Sequence, residues 1–336
     1  MLSLMKNKCK ITVLMSVYNG EKWISKSVKS ILLQTYNDFE FLIVNDGSTD
    51  KTLNIIKQFC KIDKRIRLIN KKNTGLIDSL NLGILKANGD WIVRIDADDI
   101  SESSRLEKLI KFVKQNNNVL LVGSFAQLID NKSKIIGKLS HPLNIKKLLL
   151  DFSIRGAPFA HSTVMFNVNA AKKISLYDKR IIHAEDLDMW LRLSLEGEIA
   201  CIDKYLSKIR IHEDQVSDVY EYNQFISSYV AMINYWCIKI NGATAWDLAY
   251  RNNVDFYKWV EKEIKNNNYF KFHKSIISIK KIMRNEKNKL LKCIIVLKFI
   301  LFNGDSFIWL VLRKYKIVNF PKTIAKRFIM ITSSRL

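Results

Sequence analysis

Short apolar runs alternate with stretches of apolar residues at helical spacing in the first part of this chain. The apolar runs, rich in β-branched residues, cover residues 11–17, 39–45, 66–69 and 91–95. The helical patterns cover residues 21–34, 50–60 and 75–86. Strands that alternate with helices, without the two-residue turns of hairpins, indicate βαβ units. We therefore predict an α/β fold with a Rossmann-like, mainly parallel central sheet.

Polar residues follow three of these predicted strands. They are Tyr18 and Asn19 after the first strand, residues 45–50 (NDGSTD) after the second and residues 96–99 (DADD) after the fourth. In parallel sheets of this kind, ligands bind outside the carboxyl ends of the strands. We therefore expect the three polar clusters to converge at one edge of the sheet and to form the functional site there.

The DADD cluster concentrates negative charge in a chain whose formal net charge is +23. Neighbouring carboxylates repel each other, so they need a cation, or one of them must take up a proton. Mg²⁺ or Mn²⁺ would suit Asp96 and Asp98, because such ions bind one or two protein carboxylates together with substrate phosphates. A solvated acidic turn, capping a helix that begins near Ser103, is the alternative.

The NDGSTD cluster contains residues that favour a sharp turn into a helix, and turn chemistry explains most of it. Asp46, however, ends a strand, where its carboxylate could accept hydrogen bonds from a nucleobase or from ribose. The glycine patterns GxGxxG and GxxxxGK are absent from the sequence. Their absence argues against a classical dinucleotide or triphosphate site.

Two long stretches carry a resemblance to a known family. SVYNGEKWISKSVKSILLQTYNDFEFLIVNDGSTD and NTGLIDSLNLGILKANGDWIVRIDADDIS resemble family 2 glycosyltransferases, which are inverting, nucleotide-sugar-dependent enzymes with the GT-A fold. The resemblance continues through SSRLEKLIKF, AHSTVMF, HAEDLDMWLRL and IRIHEDQVS, and so covers about residues 10–218. One departure is Ser79-Leu80-Asn81, where many family members carry Arg-Asn, so the donor-sugar contacts stay open.

The resemblance implies roles for particular residues. Asp46 would contact the base, usually uracil, and Asp186 would be the catalytic base, with Glu185 as the first alternative. Asp98 and His212 would bind a Mn²⁺ or Mg²⁺ ion. The donor nucleotide would be bound by Val17, Tyr18, Asn19, Glu21, Asp46, Asn73, Asp96 and Ala97.

Other residues keep two interpretations each. Arg210 and His212 share a side if their segment is extended, so both could face the diphosphate or the metal, although Arg210 could instead be structural. His161 could hydrogen-bond the donor or acceptor, or be a buried structural residue. Arg94 is expected to neutralise a carboxylate of the DADD cluster or to contact the diphosphate or the acceptor, whereas Arg105 and Arg192 are expected to serve helix packing or surface pairs.

The composition changes near Asp218, so we predict a catalytic domain over residues 1–218 and a helical, basic region over residues 219–336. Residues 251–336 hold 20 Lys and Arg against 5 Asp and Glu, a net charge of +15. No apolar run in this region reaches the ~20 residues needed to span a bilayer. Basic amphipathic helices on an anionic membrane, or a packed helical cap, explain this pattern. Nucleic-acid binding has no independent support.

The sequence therefore predicts an inverting glycosyltransferase that extends a bacterial surface glycan, such as a lipid-linked capsule or O-antigen unit, from a UDP-sugar. The first residues lack a long apolar segment and a small-residue cleavage site, so we do not expect a secretory signal. Five scattered cysteines favour neither disulfides nor a zinc site. We expect a cytoplasmic enzyme, peripheral at the inner face of the cell membrane. A sugar-phosphate nucleotidylyltransferase and a non-catalytic nucleotide- or membrane-binding protein are the alternatives. The oligomeric state stays open.

Overall fold

A computed structural model describes residues 10–144, 159–212, 221–266 and 320–333 of the chain. The chain divides into two compact units, Met1–Gln224 and Phe225–Leu336. The sequence stretches KNKLLKCIIVLKFILF and SFIWLVLRKYK, from which a membrane-binding tail was predicted, lie outside the described residues.

The first unit begins with the alternation that the sequence predicts. Its strands are β1 (Ile11–Val17), β2 (Phe39–Asp46), β3 (Ile66–Lys71) and β4 (Trp91–Arg94), and its helices are α1 (Ile24–Leu32), α2 (Thr52–Ile62) and α3 (Leu76–Lys86). The four strands pair in parallel in the order β3-β2-β1-β4. Strand β1 is buried along its whole length, as expected for a strand of a parallel sheet covered on both faces.

The second half of this unit widens the sheet. It contains β5 (Ile100–Ser101), α4 (Arg105–Gln115), β6 (Val119–Ile129), β7 (Ile135–Leu139), a 3₁₀ turn (His161–Thr163), β8 (Met165–Asn167), α5 (Val168–Lys173), α6 (Glu185–Glu196) and β9 (Glu198–Arg210). The described residues form a nine-stranded sheet in the order β3-β2-β1-β4-β8-β6-β9-β5, with β7 paired to β6. Strand β8 runs antiparallel to β4 and β6, and β9 runs parallel to β6. The predicted α/β fold with a mostly parallel central sheet is confirmed.

Helix α1 shows why the helices of this unit form where they do. Ile24, Val28 and Ile31 repeat at helical spacing and are completely buried. Helices α2 and α4 follow the same rule, burying Ile56 and Leu109 in the same hydrophobic cluster as the sheet. Burial of these apolar faces against the strands stabilises the helices more than their intrinsic propensity does.

The second unit is helical in the residues described. It contains α7 (Glu221–Asn241), α8 (Ala245–Arg251), α9 (Phe256–Lys265) and α10 (Phe320–Ser333). Thr244 and Asp247 form a capping box at the start of α8, and the rings of Phe256 and Trp259 pack on Phe328 with centroids 5.0 and 4.6 Å apart. None of the described helices is both long and apolar enough to cross a bilayer.

Candidate active site

The loops that follow β1 and β2 are held together by hydrogen bonds. The Asn19 amide N–H donates to Ser48 Oγ at 3.0 Å, and the Thr49 N–H donates to Asn19 Oδ1 at 2.8 Å. The Lys51 N–H donates to Glu21 Oε2 at 2.8 Å. The side chains of Asn19 and Glu21, predicted to bind the nucleotide, therefore link the two loops to each other in this structure.

The other residues predicted to bind the nucleotide near the β1–α1 loop differ in exposure. Val17 is buried, whereas Tyr18 exposes 52% of its surface. Gly20 lies against Val17 and Ala97, because a Cβ atom built on Gly20 would come within 2.7 Å of Val17 Cγ2 and 3.5 Å of Ala97 Cβ. This close packing brings the β1–α1 loop onto the DADD cluster, as the parallel sheet predicts.

Asp46 ends β2, and its carboxylate is bound within the protein. Its two oxygens accept the backbone N–H of Thr74 at 3.0 Å and of Gly75 at 2.9 Å, and Lys71 forms an ion pair with it. Burial raises the pKa of Asp46, but the hydrogen bonds from Lys71 and Thr74 and the Lys71 charge hold it below its usual value. The carboxylate therefore fixes the β3–α3 loop, in which Asn73 is exposed.

Lys71 was not foreseen from the sequence. It pairs directly opposite Asp46 in the register of β2 and β3, and its ammonium also donates to Thr74 Oγ1 at 2.6 Å. Only the length and register of the two strands bring this lysine to the site, and local sequence patterns do not encode register. Gly47, which follows, has φ +71° and lies so close to the Asn73 amide that a side chain there would collide with it.

Asp96, the first acidic residue after β4, is held from two sides. Arg94, completely buried, forms an ion pair with Asp96 Oδ1, and Ser162 Oγ donates to Asp96 Oδ2 at 3.1 Å. The Asp96 N–H also donates to Ser162 Oγ at 2.6 Å. Burial would raise the pKa of Asp96, but the Arg94 charge keeps it below the usual value. Ser162, from the AHSTVMF stretch, was not singled out in the sequence.

Asp98 and Asp99 contact the end of β9. His212 Nε2 lies 3.0 Å from Asp98 Oδ2, and the Arg210 N–H donates to Asp99 Oδ1 at 2.9 Å. Burial and the charge of Asp96 raise the pKa of Asp98. Strand β9 therefore brings two distant residues to the DADD cluster.

The Arg210 side chain, predicted either to face the diphosphate or the metal or to be structural, is held by contacts within the protein. It is completely buried, and its guanidinium donates to the carbonyl oxygens of Asp98 at 2.9 Å and Asp130 at 2.6 Å. The guanidinium also lies over the Trp23 ring, with its central carbon 4.2 Å from the ring centroid. These contacts give Arg210 a structural place between the loops.

Two protein donors are available for a metal ion at this edge. Within the part of the chain that the structure describes, no group of three His, Cys, Asp or Glu side chains converges as a metal site. Asp98 and His212 are close enough to share one ion, and they supply a carboxylate oxygen and an imidazole nitrogen. A divalent ion held by so few protein ligands needs further oxygens from water or a phosphate. The pair therefore fits a metal shared with a diphosphate, not a protein cage.

Glu185 and Asp186 lie in the first turn of α6, which follows His183 in the left-handed conformation (φ +68°). The Leu187 N–H donates to Asp186 Oδ1 at 2.7 Å. Burial, with the charge of Asp186, raises the pKa of Glu185 to about 7, and burial raises that of Asp186 to about 6. The charge of Asp96 acts on both, so this pair shares its electrostatic environment with the DADD cluster.

His161 is the centre of an aromatic cluster beside these acids. Its Nε2 lies 2.8 Å from the Tyr177 hydroxyl, and its ring packs edge-on against Trp190. Burial, with the Arg94 charge, lowers the pKa of His161 to about 3, so the imidazole is neutral. Asn81 holds the Tyr177 backbone, accepting its N–H at 3.0 Å and donating to its carbonyl at 2.9 Å. In the Ser79-Leu80-Asn81 stretch, Asn81 thus positions Tyr177.

The two remaining arginines serve packing. Arg105 is buried in α4 and donates to the Arg94 carbonyl at 2.8 Å. Arg192 forms an ion pair with Asp188 one turn away in α6 and donates to the Leu176 carbonyl at 2.7 Å. We therefore assign neither arginine a role in the reaction.

The architecture matches solved structures of glycosyltransferases. The structure of S. aureus TarS 1-349 in complex with UDP-GlcNAc superimposes with a TM-score of 0.54 at 19% identity, over 67% of each chain. The mannosyltransferase PcManGT from Pyrobaculum calidifontis, in complex with GDP-Man and Mn²⁺, superimposes with a TM-score of 0.55 at 13% identity, over 97% of this chain and 86% of that one. At such identities the likeness shows the fold, and the fold is that of a GT-A glycosyltransferase.

Sequence comparisons identify the family. The family model described as Glycosyl transferase family 2 matches residues 12–174. An uncharacterized glycosyltransferase of Haemophilus influenzae is 36% identical over 229 residues, covering 66% of this chain and 71% of the relative. The uncharacterized glycosyltransferase MJ1057 of Methanocaldococcus jannaschii is 31% identical over 74% of this chain and 84% of the relative. The chain belongs to glycosyltransferase family 2, and the prediction of a glycosyltransferase is confirmed.

Some relatives extend well beyond the region that matches this chain. A glycosyltransferase of Rickettsia bellii is 35% identical over 208 residues, but these residues cover only 30% of its length. The likeness to that relative covers 62% of this chain.

Proposed function

We propose that this glycosyltransferase transfers a sugar from a nucleoside diphosphate, with UDP as the first candidate, to a glycan or lipid-linked saccharide, inverting the anomeric configuration. The observation that carries the proposal is the shared environment of two acidic groups. Asp96 and Asp98 lie at the carboxyl end of the parallel strands, and the pKa values of Glu185 and Asp186 respond to the charge of Asp96. TarS is described in complex with UDP and UDP-GlcNAc, and PcManGT in complex with GDP-Man and Mn²⁺.

In the proposal, Asp98 and His212 hold a Mn²⁺ or Mg²⁺ ion with the donor diphosphate. The ion, when bound, stabilises the negative charge that develops on the leaving diphosphate. Arg94 and Ser162 keep Asp96 ionised and oriented toward the same edge of the sheet. Asp96 then binds the ribose, as the family resemblance implies.

We assign the nucleotide to the edge of the sheet where the β1–α1 and β3–α3 loops lie. Val17, Tyr18 and Ala97 would contact it, and exposed Asn73 would approach from the β3–α3 loop. Asp46 would act mainly by fixing that loop through Thr74 and Gly75. A direct contact between Asp46 and the base requires a free acceptor position on the Asp46 oxygens. Lys71 and two backbone amides already occupy some of these positions.

Asp186 is proposed as the base that takes the proton of the attacking acceptor hydroxyl. A general base works best when its pKa lies near the operating pH, and a pKa of about 6 leaves Asp186 ionised at neutral pH while still basic. Glu185 is more deeply buried, with 8% of its surface exposed, and is the first alternative. His161, neutral and hydrogen-bonded to Tyr177, is a candidate for contact with the donor or acceptor sugar.

We place the enzyme at the inner face of the cell membrane, where a lipid-linked acceptor of capsule or O-antigen synthesis would be held. The support is local charge in the second unit. The ammonium groups of Lys239 and Lys322 both approach the ring of Trp236, at 5.4 and 5.1 Å from its centroid. Two cations at one indole suit an anionic headgroup beside an apolar surface. The alternatives of a nucleotidylyltransferase and a non-catalytic protein are not favoured by the comparisons.

A panel of nucleotide sugars tests the donor class. The full chain is melted with UDP-, GDP- and dTDP-sugars, each with Mn²⁺ and with EDTA, and each mixture is assayed for release of the nucleoside diphosphate. A true donor at 100 times its Kd adds about 2.7 kcal/mol to the unfolding free energy, which raises Tm by several degrees. We expect this rise for UDP-sugars with Mn²⁺ only. Equal stabilisation with EDTA, or none by any nucleotide, contradicts the proposal.

A further inference from the structure

Trp23 connects the loop that precedes α1 to the end of β9. It is the residue directly before α1, and its N–H donates to the Gly20 carbonyl at 3.1 Å. Its ring packs on the guanidinium of Arg210, 4.2 Å from centroid to central carbon. Arg210 is completely buried, so this cation–π contact is shielded from water, where such contacts are strongest.

Arg210 in turn holds the DADD cluster. Its Nε donates to the Asp98 carbonyl at 2.9 Å, and its backbone N–H donates to Asp99 Oδ1 at 2.9 Å. His212 lies two residues further along the chain and contacts the Asp98 carboxylate. The position of Arg210 therefore sets the position of both residues that are proposed to hold the metal.

Helix α1 is joined to the same cluster at a second point. Ser27 Oγ donates to the Asp96 carbonyl at 3.0 Å, and Gly20 lies against Ala97. The β1–α1 loop, the DADD cluster and the end of β9 thus form a continuous chain of contacts, with Trp23 at the loop end and His212 at the metal end.

We infer that Trp23 and Arg210 are positioning residues that couple nucleoside binding at the β1–α1 loop to metal binding at Asp98 and His212. The inference rests on the proposed function, because it assigns the nucleoside and the metal to these two places. A nucleoside that binds the loop stabilises the arrangement in which Trp23 packs on Arg210 and Arg210 holds Asp98 beside His212, and a metal that binds this pair stabilises the same arrangement. By linkage, the metal must strengthen nucleoside binding by the same factor.

The experiment separates this coupling from the direct bridge that a diphosphate makes to a metal. Uridine has no phosphate, so any effect of uridine on Mn²⁺ affinity must pass through the protein. The Kd of Mn²⁺ is measured on the full chain by the loss of the free-ion EPR signal, with and without saturating uridine, and again with UDP. Allosteric coupling between sites is commonly about 5- to 150-fold, and we expect uridine to tighten Mn²⁺ binding by at least about 5-fold.

Three variants make the test specific to the Trp23–Arg210 contact. Trp23→Leu keeps an apolar side chain but removes the ring, and should bring the uridine effect close to 1-fold. Trp23→Phe keeps an aromatic face and should retain most of it. Lys22→Ala is the matched control, because it removes a second cation that lies 4.6 Å from the Trp23 ring but leaves the ring and Arg210 in place, and it should retain the effect.

The outcomes divide cleanly. No uridine effect in the unaltered protein, or a full effect in Trp23→Leu, overturns the inference, as does an equal loss in Trp23→Phe. The uridine effect is measured first on the unaltered protein, so its absence can be detected even if a variant fails to fold. If UDP itself does not tighten Mn²⁺ binding, the proposed metal-dependent UDP site fails instead. UDP coupling without uridine coupling leaves that site standing and refutes only the role of Trp23 and Arg210.

Discussion

His212 Nε2 lies 3.0 Å from Oδ2 of Asp98, although 114 residues separate the two in the sequence. Asp98 follows β4 in the middle of the sheet, and His212 follows β9, which lies three strands away in the sheet order. The contact gives the DADD cluster one oxygen and one nitrogen donor side by side. A divalent ion that replaces this hydrogen bond would be held by both donors and completed by substrate oxygens.

Asp98→Asn should remove metal-dependent nucleotide binding. An amide oxygen is a much weaker ligand for a hard divalent ion than a carboxylate, so the UDP affinity with Mn²⁺ should fall to the value measured with EDTA. Calorimetric titration of UDP with and without Mn²⁺ measures this. Asp90→Asn is the matched control, because Asp90 is exposed and directly precedes β4 at its opposite end. Tight, Mn²⁺-dependent binding by Asp98→Asn would remove Asp98 from the site.

Asp186→Asn should lower turnover by about two to four orders of magnitude, the usual scale for loss of a positioned general base. Donor affinity should stay near that of the unaltered enzyme, since Asp186 is assigned to the acceptor side. The measurement is steady-state kinetics with the donor identified by the nucleotide panel. Glu185→Gln should have a smaller effect. Near-normal turnover in Asp186→Asn together with a large loss in Glu185→Gln would transfer the base to Glu185.

The contribution of Glu185 and Asp186 to the stability of the fold should fall as the pH rises from about 4 to about 7. Burial raises the pKa of Asp186 from 3.8 to about 6 and that of Glu185 from 4.5 to about 7. In this interval the folded state binds more protons than the unfolded state, so raising the pH favours unfolding. Asp186→Asn removes one such group. Its Tm advantage over the unaltered protein should therefore widen between pH 4 and pH 7 and then stay constant.

Thermal melts across that pH range, with Asp178→Asn as a control, measure the effect. Asp178 pairs with Arg180, and its pKa is lowered from 3.8 instead of raised, so the Tm difference caused by its substitution should stay nearly constant between pH 4 and pH 7. A Tm difference for Asp186→Asn that does not change with pH would mean that the Asp186 carboxyl has an ordinary pKa.

Asp46→Ala should weaken binding of UDP itself, with or without a sugar, and should also destabilise the fold. The substitution removes the carboxylate that accepts the N–H groups of Thr74 and Gly75, and a hydrogen bond to a charged group contributes about 1.5–3 kcal/mol. Lys71→Ala is the comparison, because it removes the ion pair but leaves both amide acceptors in place. Calorimetry and thermal melts measure the two effects. A change in sugar discrimination alone would contradict the nucleotide-side assignment of Asp46.

The full chain should sediment with anionic liposomes at 0.1 M salt and dissociate in part at 1 M, where the Debye length falls from ~10 Å to ~3 Å. The double substitution Lys239→Ala and Lys322→Ala should weaken this binding, because it removes both cations from the Trp236 ring. A matched pair, Lys111→Ala and Lys114→Ala, changes the net charge equally on exposed positions of α4. Equal effects of both pairs would mean that only net charge matters, and no sedimentation at low salt would refute membrane contact.

The sequence determined the first half of the sheet and the place of the site within it. The strands near residues 11–17, 39–45, 66–69 and 91–95 and the helices between them follow from local hydrophobic periodicity, because each element buries one face or one whole strand. Parallel connection then puts the strand ends at one edge of the sheet. The sequence therefore predicts that the polar clusters at Asn19, Asp46 and Asp96 lie close together.

The sequence predicted that Arg94 neutralises a DADD carboxylate, and the family resemblance implied that Asp98 and His212 share a metal ion, but tertiary structure decided the other partners of these side chains. Strands β6 and β9 pair in parallel although they are distant in sequence, and this pairing carries Arg210 and His212 to the DADD cluster. Lys71 reaches Asp46 through the register of β2 and β3, and Ser162 reaches Asp96 through the turn before β8. Such contacts depend on strand order and register, which arise from packing between distant segments and leave no local pattern in the sequence.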